Sequence, residues 1–151
     1  MNFKLSNRSV SRLDGVDEDM VECVKRAISK TRIDFGVTEG LRSESRQKEL
    51  KAAGKSQTLK SKHIIGQAVD LVAYVGPDIS WELNLYDDVA DAMKEAATEV
   101  GLALRWGAAW HINDFTKFDG TMEDAMMEYI DLRRSQGRRP FIDAPHFEIG
   151  I

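Results

Sequence analysis

Between residues 17 and 30, apolar side chains recur at Met20, Val21, Val24, Ala27 and Ile28, the three-and-four spacing that gathers them on one side of a helix. Asp17 is placed to cap it, with Glu18 and Asp19 favourable in the first turn. The longest such pattern covers 83–100, where Leu85, Val89, Ala92, Met93, Ala96 and Val100 form a stripe that Gly101 closes. This is a packing face and not a cofactor box. A third helix is predicted from Thr121 to about 134, acidic at its start (Glu123, Asp124) and basic at its end (Arg133, Arg134). A more polar one spans about 44–53, capped by Ser43 and closed by Gly54. Strands are predicted at 35–39, at 68–75 with Gly76-Pro77 as terminator, at 102–106 and at 146–149. The polar stretch 55–61 and the longer 107–119 read as loops. Helices and strands do not strictly alternate, which predicts an α+β fold with a small, mostly antiparallel sheet packed with helices.

Composition narrows the class of protein without naming its chemistry. With 151 residues, 42% of them hydrophobic, the chain is long enough to build one core, so a single domain over 1–151 is expected. The formal net charge of -4 gives no general basic footprint for nucleic acid. Cys23 is the only cysteine, which excludes an internal disulfide and a thiolate metal cluster. Its place on the apolar side of the first long helix predicts a buried, inert thiol. The first residues lack the apolar run of a secretory signal, and nothing approaches the ~20 apolar residues of a membrane span. Synthesis in a cytoplasm and no stable membrane insertion are therefore expected.

Chemistry concentrates in two segments. The chain has three histidines, and two of them fall in Ser61-Lys62-His63-Ile64-Ile65-Gly66-Gln67-Ala68-Val69-Asp70 and Asp143-Ala144-Pro145-His146. Strand alternation puts Ala68, Asp70 and Val72 on one face, and His146 with Glu148 on one face of the last strand. If these strands adjoin, Asp70 and His146 meet, while His63 arrives from the preceding loop and Gly66 permits a turn that a Cβ would obstruct. Two imidazoles and a carboxylate leave a fourth tetrahedral position for water, the arrangement of a catalytic Zn²⁺. Asp143, three residues before His146, is placed to act as general base. Each residue also has a plainer reading, the histidines as surface or satisfied core groups and the aspartates as caps or turn formers. Spacing alone leaves both readings standing.

The combination Ser61-x-His63-x-x-Gly66-x-Ala68-x-Asp70 with Asp143-x-x-His146 resembles the signature of the LAS metallopeptidases, which include lysostaphin-type enzymes, D-Ala-D-Ala carboxypeptidases and hedgehog-like domains. Within that group the chain is similar to the L-alanyl-D-glutamate peptidases that bacteriophages use as endolysins. Phe3-Lys4-Leu5-Ser6, Arg26-Ala27-Ile28, Thr38-Glu39-Gly40-Leu41-Arg42-Ser43, Arg105-Trp106-Gly107 and Trp110 stand in the family's order, so the likeness spans nearly the whole chain. It implies a hedgehog/D-Ala-D-Ala peptidase-like fold, Zn²⁺ held by His63, Asp70 and His146, and Asp143 as catalytic base. It also implies that Arg42 lies near substrate and steadies the oxyanion, a role suited to its fork of donors. Ser61 is a candidate to bind substrate or orient the His63 loop, and Glu148 to support His146 from behind.

The expected activity is hydrolysis of the L-Ala–D-Glu bond in the peptide stem of bacterial peptidoglycan. The expected protein is a monomer without a separate wall-binding domain, made in the host cytoplasm and reaching the wall once the membrane is permeabilised. The competing readings are a D-Ala-D-Ala carboxypeptidase or dipeptidase and, in another class, a non-catalytic metal-stabilised wall-binding domain; Asp143 argues against the latter. Two features depart from the family pattern. Trp106-Gly107-Ala108-Ala109-Trp110 lacks the Asp that relatives commonly carry there, and the 111–140 segment holds an added helix with no assigned role. Asn113, Asp114 and Asp119 lack the spacing of a Ca²⁺ loop and read as solvated carboxylates, and His111 reads as a loop histidine without a function.

Overall fold

Strand β2 (Ala68–Val75) is the axis around which the rest is arranged, and its alternation divides two environments. Val69, Leu71 and Ala73 point into the hydrophobic core, whereas Asp70 is on the opposite face. Along one edge β1 (Phe35–Glu39) runs antiparallel, with Phe35 opposite Ala73 and Val37 opposite Leu71. A bulge between Val37 and Glu39 then brings Glu39 opposite Asp70. The other edge of β2 is shared. Its first half pairs with β5 (His146–Ile149), and its second half with β3 (Asp78–Ser80). Beyond β5 lies β4 (Leu104–Trp106), so the order is β1-β2-β5-β4 with every pair antiparallel. The structure, a computed structural model, describes residues 3–54 and 61–150; apart from Ser61, the polar loop expected at 55–61 lies outside the described residues.

Five helices complete the fold among the described residues: α1 (Asn7–Ser11), α2 (Glu18–Lys30), α3 (Glu44–Ala52), α4 (Leu83–Val100) and α5 (Met122–Ser135). Their predicted caps are present. Asp17 accepts from the amides of Asp19 and Met20, Ser43 from Arg46, and Thr121 forms a reciprocal capping box with Asp124. Helices α2 and α4 pack together, and their stripes (Met20, Val24, Ala27 and Val89, Met93, Ala96) join the core under the sheet. Fully burying side chains such as Met20 and Met93 contributes roughly 1.5–3 kcal/mol each. Cys23 belongs to this core, and burial pushes its thiol up to about 12, the inert state expected of it.

Three local features differ from the sequence expectation. Gly76-Pro77 ends β2 at Val75 as expected, but it is also the two-residue turn of a hairpin in which Val75 faces Asp78 and the chain returns as β3, a strand not expected from the sequence. The strand expected at 102–106 begins at Leu104, because the Leu102 amide still bonds to Ala97 O in the left-handed closure at Gly101. The 107–119 loop contains a 3₁₀ turn (Phe115–Lys117) that buries Phe115 edge-on against Phe147 at 6.2 Å. Helix α1 is too short to show a periodic stripe and is marked only by its Ser6 cap.

The turn that carries His63 is a 3₁₀ segment (Lys62–Ile65) closed by Gly66 at φ 71°. A Cβ on Gly66 would sit 2.4 Å from Gly15 O, and the Gly66 carbonyl accepts from the Asp17 amide at 2.8 Å. Gly66→Ala should therefore cost at least about 1 kcal/mol from the left-handed backbone alone, lowering the urea midpoint; an unchanged midpoint would contradict this account of the turn.

Candidate metal centre

The antiparallel register of β2 and β5 sets Asp70 directly opposite His146, so both side chains leave the same face. The 3₁₀ turn delivers His63 to that point, and the ligand atoms of His63, Asp70 and His146 all lie within 4.8 Å of one another. His63 Nδ1 donates to Gly40 O at 2.8 Å, which leaves Nε2 directed at Asp70 Oδ1 at 3.2 Å. His146 is oriented the other way round. Its Nε2 donates to Glu148 Oε1 at 2.9 Å, and its Nδ1 lies 3.4 Å from the same Asp70 oxygen. Each imidazole thus has one nitrogen fixed from behind and the other turned toward a shared point, as metal-ligating histidines do. This donor set fits a divalent cation of the Zn²⁺ type.

Three comparisons bear on what this group belongs to. Residues 1–149 match the family model described as phage L-alanyl-D-glutamate peptidase. An L-alanyl-D-glutamate peptidase of Escherichia phage T5 is 32% identical over 115 residues, covering 74% of this chain and 84% of its own. This chain belongs to that family. The L-alanyl-D-glutamate peptidase of Listeria phage A118 is 31% identical over 78 residues, 52% of this chain and 27% of that protein. Among solved structures, the Serratia marcescens L-Ala D-Glu endopeptidase ChiX superposes with a TM-score of 0.72 at 34% identity, covering 99% of this chain and 90% of its own. The α+β fold expected from the sequence is the fold of this neighbour.

The electrostatics of this phage-peptidase centre follow from burial and pairing. Burial would raise the Asp70 pKa, but hydrogen bonds to His146 and His63 outweigh it and hold the carboxyl far below its usual range. For His146 burial favours the neutral ring, yet the bonds to Asp70 and Glu148 prevail and lift it to about 9. Asp143 is raised, first by burial and then by the neighbouring charge of Asp70, while His146, His63 and Arg42 oppose that shift. Asp143 is thus in electrostatic reach of the whole group.

The loop 143–146 is held on every side. Asp143 N donates to Gly107 O at 2.8 Å, Gly107 N to His146 O at 2.8 Å, and Trp106 Nε1 to Ala144 O at 2.7 Å. A Cβ on Gly107 would lie 2.1 Å from Asp143 O, so only glycine allows this approach.

Arg42 is buried and has three acidic or amide partners. Its Nε bonds to Glu39, its Nη1 to Gln47 Oε1 at 2.6 Å, and its Nη2 faces Asp70 Oδ2 at 3.6 Å. Asp70 is therefore gripped by a guanidinium on one oxygen and presents the other to the histidines. Ser61 accepts from His63 N at 3.2 Å, the loop-orienting arrangement. Glu148 is buried between His146 and Lys62 Nζ, the latter at 3.5 Å. Asp114 caps the 3₁₀ turn at Phe115. His111 is outside the metal group and pairs with Glu128 at 3.0 Å.

Sequence reasoning missed Lys62, although it is inside the motif, because its target is a carboxylate 86 positions away. It also missed Gly40 as the partner of His63, since a backbone carbonyl leaves no compositional trace. Arg105 was noted only for its place in the family's order and given no role. Its guanidinium donates to Trp110 O and stacks 5.1 Å from the Trp110 indole, which itself lies 5.4 Å from the His146 ring. Arg105 therefore holds the loop that carries Ala108 and Ala109. Removing the partner behind His146 should weaken metal binding. Glu148→Gln is expected to lose about 10- to 100-fold in Zn²⁺ affinity in a chelator competition, and unchanged affinity would exclude Glu148 from that role.

Proposed function

We propose that this chain is a Zn²⁺-dependent endopeptidase that hydrolyses the L-Ala–D-Glu bond in the peptide stem of bacterial peptidoglycan. The observation that carries this reading is the convergence of His63 Nε2, His146 Nδ1 and Asp70 Oδ1 on one point in a chain of the L-alanyl-D-glutamate peptidase family. When bound there, Zn²⁺ supplies a Lewis acid that polarises a carbonyl and makes water acidic near neutral pH.

Asp143 is the general base. It takes a proton from the water whose oxygen attacks the L-Ala carbonyl carbon, and gives that proton to the D-Glu nitrogen as the C–N bond breaks. One carboxyl can serve both steps, because the group that accepts the proton as a carboxylate returns it as an acid. Arg42 keeps Asp70 in place through Nη2, and in this reading it also steadies the negative charge that grows on the carbonyl oxygen, the role its fork of donors suits. Ser61 sets the His63 turn, and Glu148 with Lys62 sets the imidazole of His146.

The target of the family is the cell wall, and none of the described helices is long and apolar enough to cross a membrane. We place this enzyme in phage lysis, acting as a monomeric catalytic unit on peptidoglycan after another protein opens the membrane, with no nucleic acid involved. Muropeptide digestion tests the bond directly. The expected mass change is release of the stem from L-Ala, abolished by a chelator and restored by Zn²⁺; loss of terminal D-Ala instead would make it a carboxypeptidase, and no cleavage at all a binding domain. Asp143→Asn should retain bound Zn²⁺ while kcat falls by about 10²- to 10⁴-fold, and an undiminished rate would remove Asp143 from the mechanism.

A further inference from the structure

The helix of the 111–140 segment is tied to the loop that carries Asp143. At its start α5 is anchored to the core: Met122 N donates to Asp91 Oδ1 of α4 at 2.9 Å, and Met122, Ala125 and Met126 are buried. From its later turns it reaches the returning chain at alternate positions. Arg133 donates through Nε and Nη2 to Arg139 O at 3.2 and 3.0 Å, and Tyr129 Oη accepts from Phe141 N at 3.2 Å. On its other side Phe141 is held by Trp110, whose Nε1 donates to Phe141 O at 3.1 Å and whose indole stacks on the Phe141 ring at 6.2 Å. Two residues on, Asp143 N bonds to Gly107 O. Residues 139, 141 and 143 are thus gripped in succession, and Tyr129 is the buried member of the grip, stacked on His111, which binds Glu128 of the same helix.

We propose that Tyr129 is a positioning residue for the hydrolysis, holding the Phe141 amide so that the Asp143 carboxylate meets the attacking water. This inference rests on Asp143 being the base. A segment outside helices and strands, such as 139–143, has no hydrogen-bond ladder of its own, so its rigidity comes from the groups that reach it. A displacement of about 1 Å at a reacting group is enough to cost on the order of 10²-fold in rate. Helix α5 then holds the loop of the base as well as contributing Met122, Ala125 and Met126 to the core.

Tyr129→Phe removes one oxygen and leaves the ring. The expected result is a fall in kcat of about tenfold or more, from loosened positioning of the base, with KM, bound Zn²⁺ and melting temperature essentially retained and faster hydrogen exchange at the Phe141 amide. In an Asp143→Asn background the same change should have no further effect on the residual rate, because Tyr129 acts through the carboxylate that is gone. An unchanged kcat overturns the proposal, as does a loss that follows melting temperature or metal content, or an equal loss in the Asp143→Asn background. Should Tyr129→Phe not fold, Arg133→Met, which releases Arg139 on the same segment, is judged by the same criteria. If Asp143→Asn alone keeps full activity, it is the base assignment that fails; if Asp143→Asn is inactive and Tyr129→Phe is normal, only the positioning role fails.

Discussion

Asp70 faces His146 across the β2–β5 pairing, and the reactive centre exists only in that register. A slip of one residue would present Val69 or Phe147 in place of a ligand and turn the ligands into the core. The register is enforced from the buried side. Val69, Leu71 and Phe147 are all fully buried, and Phe147 stacks on Trp106 at 6.3 Å and meets Phe115 edge-on. The hydrophobic effect acting on one face of the sheet thereby sets the ligand geometry on the other. Glu39 is part of the same arrangement, because the β1 bulge puts it opposite Asp70, where it bonds to Arg42.

The second layer of control is the direction of each imidazole. Gly40 O fixes His63 through Nδ1 and Glu148 fixes His146 through Nε2, so the two rings offer different nitrogens to a common point. Such buried polar groups are tolerable only when each is paired. Here acids and bases alternate: Glu39 with Arg42, Arg42 with Asp70, Asp70 with both histidines, His146 with Glu148, and Glu148 with Lys62. The chain of pairs leaves Asp143 as the carboxylate with raised proton affinity beside an aspartate held ionised. That contrast between two neighbouring carboxyl groups accords with the proposed division of roles, Asp70 as ligand and Asp143 as base.

Much of this was legible in the residues because it is written in local periodicity. Alternation over 68–75 and 146–149 was enough to put Asp70 and His146 on matching faces, and the caps at Asp17, Ser43 and Thr121 fixed the helix starts. Their meeting was conditional on strand adjacency, which periodicity does not encode; the family resemblance supplied that condition. What stayed hidden was non-local or carried by backbone. The bond from His63 to Gly40 O spans 23 positions, and the bond from Lys62 to the β5 backbone spans 87. The return of the chain through Gly76-Pro77 went unread because a turn dipeptide ends a strand and starts a hairpin with equal ease. Helix α5 could be predicted from its cap and charges, but its grip on residues 139–141 depends on how the chain doubles back.

The most direct test of the central claim is the anomalous scattering of crystals grown with Zn²⁺. The account predicts one strong peak ligated by His63 Nε2, Asp70 Oδ1 and His146 Nδ1, with Glu148 still bonded to His146 Nε2 and the Asp143 carboxylate beside the open coordination position. A metal held instead by Asp143, or by His146 through Nε2, or located away from the β2–β5 pairing, would contradict it.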